Sequence, residues 1–343
     1  MISRGVPANG AIGGLAARMG RAMGGMQGGD GSARARDARA FTRRLVVVGI
    51  VAAAAIAFAI VRFGPPGGLP GASAAIVTSG PAADLLAVGD VGECPMVGAR
   101  ATARLAERLP GTIALLGDEA YPNGSDHDFA TCFAPAWGPL LDRTRPVPGN
   151  HEYRTADAAP YFRYFGRRAG RPGEGWYSYE LGTWHVVAIN SSLDVGPGSP
   201  QLAWLRDDLA AAKGRCVLAY WHTPRFSIGP HGDRWQMIPI WDALSRVGAA
   251  VVLAGHDHMY QRFAPMTSDG HPDAERGMRE FVVGTGGAGR YRPLRRDDNL
   301  EAMDAGTWGV LHLRLMPDSY SWEFVPVEGS AFRDSGQAPC HPR

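Results

Sequence analysis

Five short polar clusters in this chain carry the residue types that bind metal cations. They are Gly89-Asp90-Val91-Gly92, Gly117-Asp118-Glu119-Ala120-Tyr121, Gly149-Asn150-His151-Glu152, His222 within Trp221-His222-Thr223-Pro224, and Gly255-His256-Asp257-His258. Histidine together with oxygen donors suits divalent Zn, Fe or Mn. Two such ions roughly 3.5–4 Å apart form a clamp for phosphoryl chemistry, and a carboxylate supplies the shared anionic bridge they need. His256 and His258 stand two positions apart, so in an extended segment they share a face. A glycine ahead of Asp90, Asp118, Asn150 and His256 lets the backbone turn tightly. A lone Asp after a strand is usually a turn former; it is the recurrence of five such clusters that argues for a site.

Each cluster follows an apolar run, and the runs alternate with helical patterns, which indicates an α/β domain. The expected strands are Leu85–Gly89, Ile113–Gly117, Arg145–Pro148, His185–Asn190, Cys216–Trp221, Ala250–Ala254, Glu280–Val283, Val310–Leu315 and Ser321–Val325. The expected helices are Met96–Leu109, Ala130–Leu141, Gln201–Ala212 and Gln236–Val247. Ligands of α/β sheets gather at the carboxyl ends of strands, so five strand ends would bring these side chains to one crevice. Residues 82–330 read as one catalytic domain and 331–343 as a C-terminal tail.

In identity, order and approximate spacing, the clusters resemble the GDxG, GDxxY, GNHE, H and GHxH blocks of purple acid phosphatases, within the calcineurin-like metallophosphoesterases. Pro200-Gln201-Leu202-Ala203-Trp204-Leu205 also looks like that family's helix after the Asn190-Ser191 strand. The resemblance implies a four-layer α/β/β/α sandwich with mixed sheets and a site for two metal ions. Asp118 would bridge them. Asp90, Tyr121 and His258 would complete an Fe(III) site, and Asn150, His222 and His256 a site for divalent Zn, Fe or Mn. Where the wider superfamily has Asp-x-His, this chain has Asp90-Val91-Gly92, and Tyr121 is the family's replacement; tyrosinate bound to iron would absorb visible light. The implied reaction is hydrolysis of a phosphoester by a metal-bound hydroxide attacking in line, most simply on a monoester. A phosphodiesterase or nucleotidase shares the same core, and the loops at 153–171 and 226–235 would decide between them. A binding module without activity is the third reading. His151, and with less constraint from spacing His231, resemble histidines that contact phosphate or protonate the leaving oxygen. Glu152 would orient a neighbour by hydrogen bonding.

The remaining histidines, His127, His185, His271, His312 and His341, match no block and read as structural or surface residues. Gly284–Gly289 does not fit the dinucleotide pattern of G-x-G-x-x-G opening a helix and reads as a loop near the cleft. Asp194 and the stretch Trp221–Arg225 are candidates to line the pocket.

Charge is divided unevenly. Residues 1–62 hold nine arginines against Asp30 and Asp37, a net +7, which leaves −5 on the remainder. A basic arm ahead of a mildly acidic domain is not the pattern of a nucleic-acid binder; the arginines sit where a membrane topology signal would. Residues 1–44 read as a disordered arm. The run Leu45–Val61 is seventeen residues without a charge, at the short end of the roughly 17–25 that span a bilayer, and Arg62 and Phe63 could extend it. A signal anchor over 45–63, with the arm cytoplasmic and the domain outside, is the preferred reading. A cleaved signal peptide with Ala72-Ser73-Ala74 at the cut, which would leave the domain secreted, and a buried core helix are the alternatives. Residues 64–81, opening on GPPGGLPG, form a linker.

The four cysteines, Cys94, Cys132, Cys216 and Cys340, make no C-x-x-C pair. They allow three pairings, or four buried thiols. Cys94–Cys132 with Cys216–Cys340 is the favoured arrangement, because Cys94 and Cys132 each follow a metal-motif loop. A phosphorylated small molecule is the implied substrate; oligomeric state is not legible.

Overall fold

The structure is a computed structural model describing residues 82–212 and 214–340. The apolar run at 45–61, the basic arm, the whole linker at 64–81 and His341 lie outside these residues. Among the described residues no helix is long and apolar enough to cross a membrane.

In chain order the strands are β1 (Ala83–Val88), β2 (Thr112–Leu115), β3 (Thr144–Pro146), β4 (Tyr177–Leu181), β5 (Trp184–Ala188), β6 (Cys216–Tyr220), β7 (Val251–Ala254), β8 (Tyr260–Phe263), β9 (Arg279–Val283), β10 (Leu300–Asp304), β11 (Gly309–Leu315), β12 (Ser319–Pro326) and β13 (Ser335–Pro339). They form two mixed sheets, ordered β13-β12-β11-β1-β2-β3 and β10-β8-β9-β7-β6-β5-β4. In the first, β1, β2 and β3 are parallel. In the second, β5, β6, β7 and β9 are parallel.

Alternation along the strands builds the layers. Leu85 and Ala87 of β1 point into the space between the sheets, where they meet Leu313, Phe324, Trp184, Leu218 and Phe281. Leu86 and Val88 point the other way, onto Ala99, Ala103 and Phe133. Large side chains such as Trp184 and Phe281 are fully buried and contribute about 1.5–3 kcal/mol each.

Four helices of seven or more residues are described: α1 (Val97–Arg108), α2 (Ala159–Phe165), α3 (Pro200–Ala211) and α4 (Ile238–Arg246). α1 buries Ala99, Thr102, Ala103 and Ala106, one face at a spacing of three and four. α3 starts at Ser199, whose hydroxyl accepts from the Leu202 amide, with Pro200 at its first position. It buries Leu202, Leu205 and Leu209 beside Ile240, Trp241 and Leu244 of α4, covering the outer face of the second sheet.

The outer face of the first sheet is covered by α1 and the aromatic cluster of 129–165 only over part of its width. Over β11–β13 that face carries the exposed residues Arg314, Glu323 and Ser335, so the outer helical layer is incomplete there.

Two elements differ from expectation. The helix expected over Ala130–Leu141 is a run from 126 to 143 that changes pitch between α, π and 3-10 turns, because Pro135 and Pro139 each remove an amide donor. The segment beyond residue 330 is not a loose tail: β13 pairs with β12. Cys340, just after β13, bridges to Cys216 at the start of β6 with Cα atoms 5.8 Å apart. Cys94 and Cys132 form the second disulfide. Bridges closing loops of these lengths contribute about 3–5 kcal/mol each.

His185 is buried between Glu180, 3.0 Å from Nδ1, and Asp208, 2.7 Å from Nε2. Burial opposes its charge, but the bonds to Asp208 and Glu180 outweigh it and raise the imidazole pKa. A raised histidine stabilises the fold fully below its unfolded value of about 6.5, and that contribution is lost as pH rises through the folded value. His185→Gln should therefore lower Tm more at pH 5.5 than at pH 9, read by paired thermal melts. Equal losses at both pH values would remove this assignment.

Candidate metal centre

The clusters meet because parallel strands end at one edge of the molecule. β1, β2 and β3 lead to Asp90, Asp118 and Asn150–His151; β6 and β7 lead to His222 and His256; β9 leads to Gly284–Gly289. The crevice spans the carboxyl edges of both sheets.

Two contact groups share Asp118. In the first, Tyr121 Oη donates to Asp90 Oδ1 at 2.9 Å and lies 3.1 Å from both Asp118 Oδ2 and His258 Nε2. His258 Nε2 is 3.2 Å from Asp90 Oδ1. In the second, His222 Nε2 lies 3.3 Å from Asp118 Oδ2, 3.1 Å from Asn150 Oδ1 and 3.1 Å from His256 Nδ1. One ligand atom each from Asp118, His222 and His256 lie within 4.8 Å of one another, a group able to hold a metal ion.

The local backbone is bent to make this arrangement. Asp90, Asp118 and His256 adopt φ of 62°, 53° and 69°, the left-handed region. For non-glycine residues this costs on the order of 1–3 kcal/mol each and concentrates at functional sites. Gly92 explains the missing Asp-x-His ligand, since a Cβ there would stand 1.8 Å from the Glu119 carbonyl oxygen. No side chain fits at 92, and the Tyr121 amide instead bonds the Gly92 carbonyl at 3.0 Å. At Gly149 a Cβ would come within 2.1 Å of Asp118 Oδ1.

A second ring of contacts fixes the donors. Glu152 accepts from the amides of Asp118, Ala120 and Gly149 at 3.0, 3.1 and 2.8 Å, tying two of the bearing loops together. His222 Nδ1 faces the Leu116 carbonyl at 2.8 Å, and His258 Nδ1 faces that of Gly289. A ring nitrogen facing a carbonyl carries a proton, so in the neutral ring Nε2 of each presents its lone pair to the crevice. The Gly284–Gly289 loop thus orients His258 and packs on α1 at Gly98.

The donor set is chemically suited to a cation. Asp90 and Asp118 are 0% and 2% exposed. Among the described residues their ion pairs are with histidines alone. Neither has a Lys or Arg partner among these residues, and buried charges are paired or coordinate metals. Burial opposes ionisation of Asp118, yet His222 and His151 hold its carboxyl well below the usual range. Burial likewise opposes charge on His222, while Asp118 and Asp90 raise it to about 9. His256 is depressed to about 2 by burial and the neighbouring His222 and His231. Burial and the two carboxylates push the Tyr121 phenol well above its ordinary value. A bound cation reverses this last effect and favours the phenolate.

The rim holds four more groups. His151 lies with Nδ1 2.7 Å from the Pro122 carbonyl and Nε2 3.8 Å from Asp118 Oδ2. His231 stacks on His256, ring centroids 4.0 Å apart, with Nδ1 2.9 Å from Asp257 Oδ1. Tyr291 stacks on His258 at 4.0 Å and 8°. Arg234 Nη2 reaches to 3.5 Å from His256 Nε2. Asp257, Tyr291 and Arg234 escape a reading by motif. Asp257 is the variable position of the last block, although its place between two candidate ligands was a usable signal; the other two have none.

Of the stretch Trp221–Arg225 the structure brings His222 to the site, but not Trp221 or Arg225, and Asp194 stays outside it as well. Asp194 is exposed and caps its own loop through the Gly196 amide. Trp221 is in the core. Arg225 is fully buried, bonding the Ser268 carbonyl and lying over the rings of Phe226 and Trp235. His127 and His271 are exposed, and His312 pairs with Asp84 at 2.9 Å, away from the crevice.

The pattern of the calcineurin-like phosphoesterase family matches residues 84–260. Purple acid phosphatase 23 of Arabidopsis thaliana is 25% identical over 196 residues, 46% of this chain and 43% of its own. The chain spans less than half the length of the curated relatives it matches. Among solved structures, purple acid phosphatase PPD1 from yellow lupin (Lupinus luteus) seeds superposes with a TM-score of 0.66 at 17% identity, covering 76% of this chain and 54% of that one. GAP50, described as the anchor in the inner membrane complex of Plasmodium, superposes at 0.62 with 12% identity, covering 77% and 90%. At these identities the superpositions speak to the fold alone. With more than half of its residues inside the family pattern, this chain belongs to the calcineurin-like phosphoesterases, as a purple acid phosphatase-like member.

Proposed function

We propose that the chain is a metal-dependent phosphomonoesterase. The observation that carries this is the convergence of Asp90, Asp118, Tyr121, Asn150, His222, His256 and His258 into two groups sharing one buried carboxylate. Fold alone does not decide activity, since one structural neighbour is described as an anchor; the donor set supports the hydrolase reading.

Asp118 would be shared between two ions. Asp90, Tyr121 and His258 would hold the one for which a phenolate favours Fe(III), and Asn150, His222 and His256 would hold a divalent Zn, Fe or Mn. When bound, the ions supply an activated water and neutralise charge on the phosphoryl oxygens. The residues of the chain do the rest. Glu152 fixes the spacing of the Asp118 and Asn150 loops. Asp257 holds the His231 ring by Nδ1, which leaves Nε2 free to give a proton to a leaving oxygen. His151, its Nδ1 held by Pro122, presents Nε2 on the Asp118 side and contacts the phosphoryl group.

The test uses two substrates. The purified chain should release phosphate from an aryl phosphate in a chelator-sensitive way. His231→Ala should slow an alkyl phosphate by about 10²-fold or more, and an aryl phosphate with a good leaving group much less. No metal-dependent release from either ester would remove the reading; equal losses on both would remove the role of His231.

We further propose that residues 45–63 anchor the chain with the domain outside the cytoplasm. Both disulfides support an oxidising compartment. Recovery of the chain in the cytoplasmic fraction would end this reading.

A further inference from the structure

Arg234 is a rim cation for which the fold supplies no anion. Its neighbour Asp233 is taken by Arg295 at 3.0 Å, and among the described residues Arg234 itself has no carboxylate partner. Its Nε is buried without a hydrogen bond to any protein group. Its side chain has a single polar neighbour, the outer nitrogen of His256 at 3.5 Å. A guanidinium presents five donors in a fixed fork, and leaving such donors unpaired in a partly buried position costs free energy. The position is not a loose one. The Arg234 amide bonds the Arg225 carbonyl at 3.0 Å, and Glu280 beneath it accepts from the amides of Arg225 and Phe226 at 2.9 and 2.8 Å. The fold therefore holds a cation with free donors at the rim of the candidate metal centre.

We propose that Arg234 binds the phosphoryl group of the substrate and selects monoesters over diesters. This deepens the hydrolase reading and rests on it. A phosphomonoester carries three non-bridging oxygens and up to two negative charges. A diester carries two such oxygens and one charge. The guanidinium pairs with the first through charge-assisted hydrogen bonds that strengthen with its second negative charge; a diester offers one anionic oxygen fewer and half the charge, its third oxygen being an alkoxy or aryloxy oxygen, a poor acceptor.

The experiment is calorimetric titration of inorganic phosphate into the full-length protein as purified, alongside Arg234→Ala and Arg234→Lys, with metal content measured for each. KM is then measured on an aryl monoester and a bis-aryl diester. Losing a charge-assisted pair should weaken phosphate binding about 10- to 100-fold in Arg234→Ala, with unchanged metal content. The monoester KM should rise in parallel and the diester KM little. Arg234→Lys, which keeps the charge but not the fork, should fall between. Phosphate binding by the wild type without turnover of either ester would sink the hydrolase reading and leave the anion site standing. Equal phosphate affinity in wild type and Arg234→Ala at equal metal content, or no phosphate binding by the wild type, would overturn the proposal whatever the turnover.

Discussion

Asp118→Asn should reduce turnover of an aryl phosphate by about 10³-fold or more and reduce bound metal with it. The magnitude follows from removing the proposed bridge of a two-ion clamp; such a clamp contributes several kcal/mol of charge stabilisation in the transition state, with each 1.36 kcal/mol worth tenfold in rate. Asparagine is nearly isosteric with aspartate, so the His151 amide keeps an acceptor where it now bonds Asp118 Oδ1 at 2.9 Å. The charge facing Tyr121 and His222 disappears. The fold should survive, because asparagine keeps the buried hydrogen bond and His222, whose raised pKa depends on the Asp118 charge, can shed its proton and avoid remaining an unpaired buried charge. A thermal melt within a few degrees of wild type, with metal and turnover both lost, is the expected pair of results. A variant that binds metal and turns over like wild type would leave only the binding-module reading.

Tyr121→Phe should remove a visible absorption band from the iron-loaded protein. Burial and two carboxylates keep the metal-free phenol protonated, and only a cation against its oxygen can favour the phenolate. The band is therefore a report on ligation and not on folding. Phenylalanine keeps the ring beside His151, whose centroid lies 4.3 Å away, and deletes only the oxygen that touches Asp90, Asp118 and His258. An iron-loaded wild type without a visible band, or a band that persists in Tyr121→Phe, would separate Tyr121 from the metal.

Much of the site could be read in advance because its residues sit in compact blocks at strand ends. Position 92 shows why the block pattern carries physical information: the structure leaves no room there for a side chain, and the tyrosine three residues past Asp118 brings its hydroxyl to Asp90 and His258. What motif reading could not supply lies on loops whose course is set by tertiary contacts. Arg234 and Tyr291 are ordinary letters between blocks, and their places at the rim depend on Glu280 holding the Arg225–Phe226 backbone and on the Tyr291 amide bonding the His258 carbonyl. The strands that escaped expectation fall into the same class. β13 reads SGQAP, with glycine and proline, and persists because an edge position tolerates proline and Cys340 pins its end. β10 reads LEAMD, without β-branched or aromatic residues, and is held by pairing with β8. β8 begins two residues after His258 and was hidden by the motif. β4, with its alternating YSYEL, carried a usable signal.

The central claim is that seven side chains hold two ions. Elemental analysis of the purified full-length chain tests it most directly. The account predicts two metal ions per chain, iron among them, falling in Asp118→Asn. Less than one ion per chain after metal supplementation, or a full complement that Asp118→Asn leaves unchanged, would contradict it.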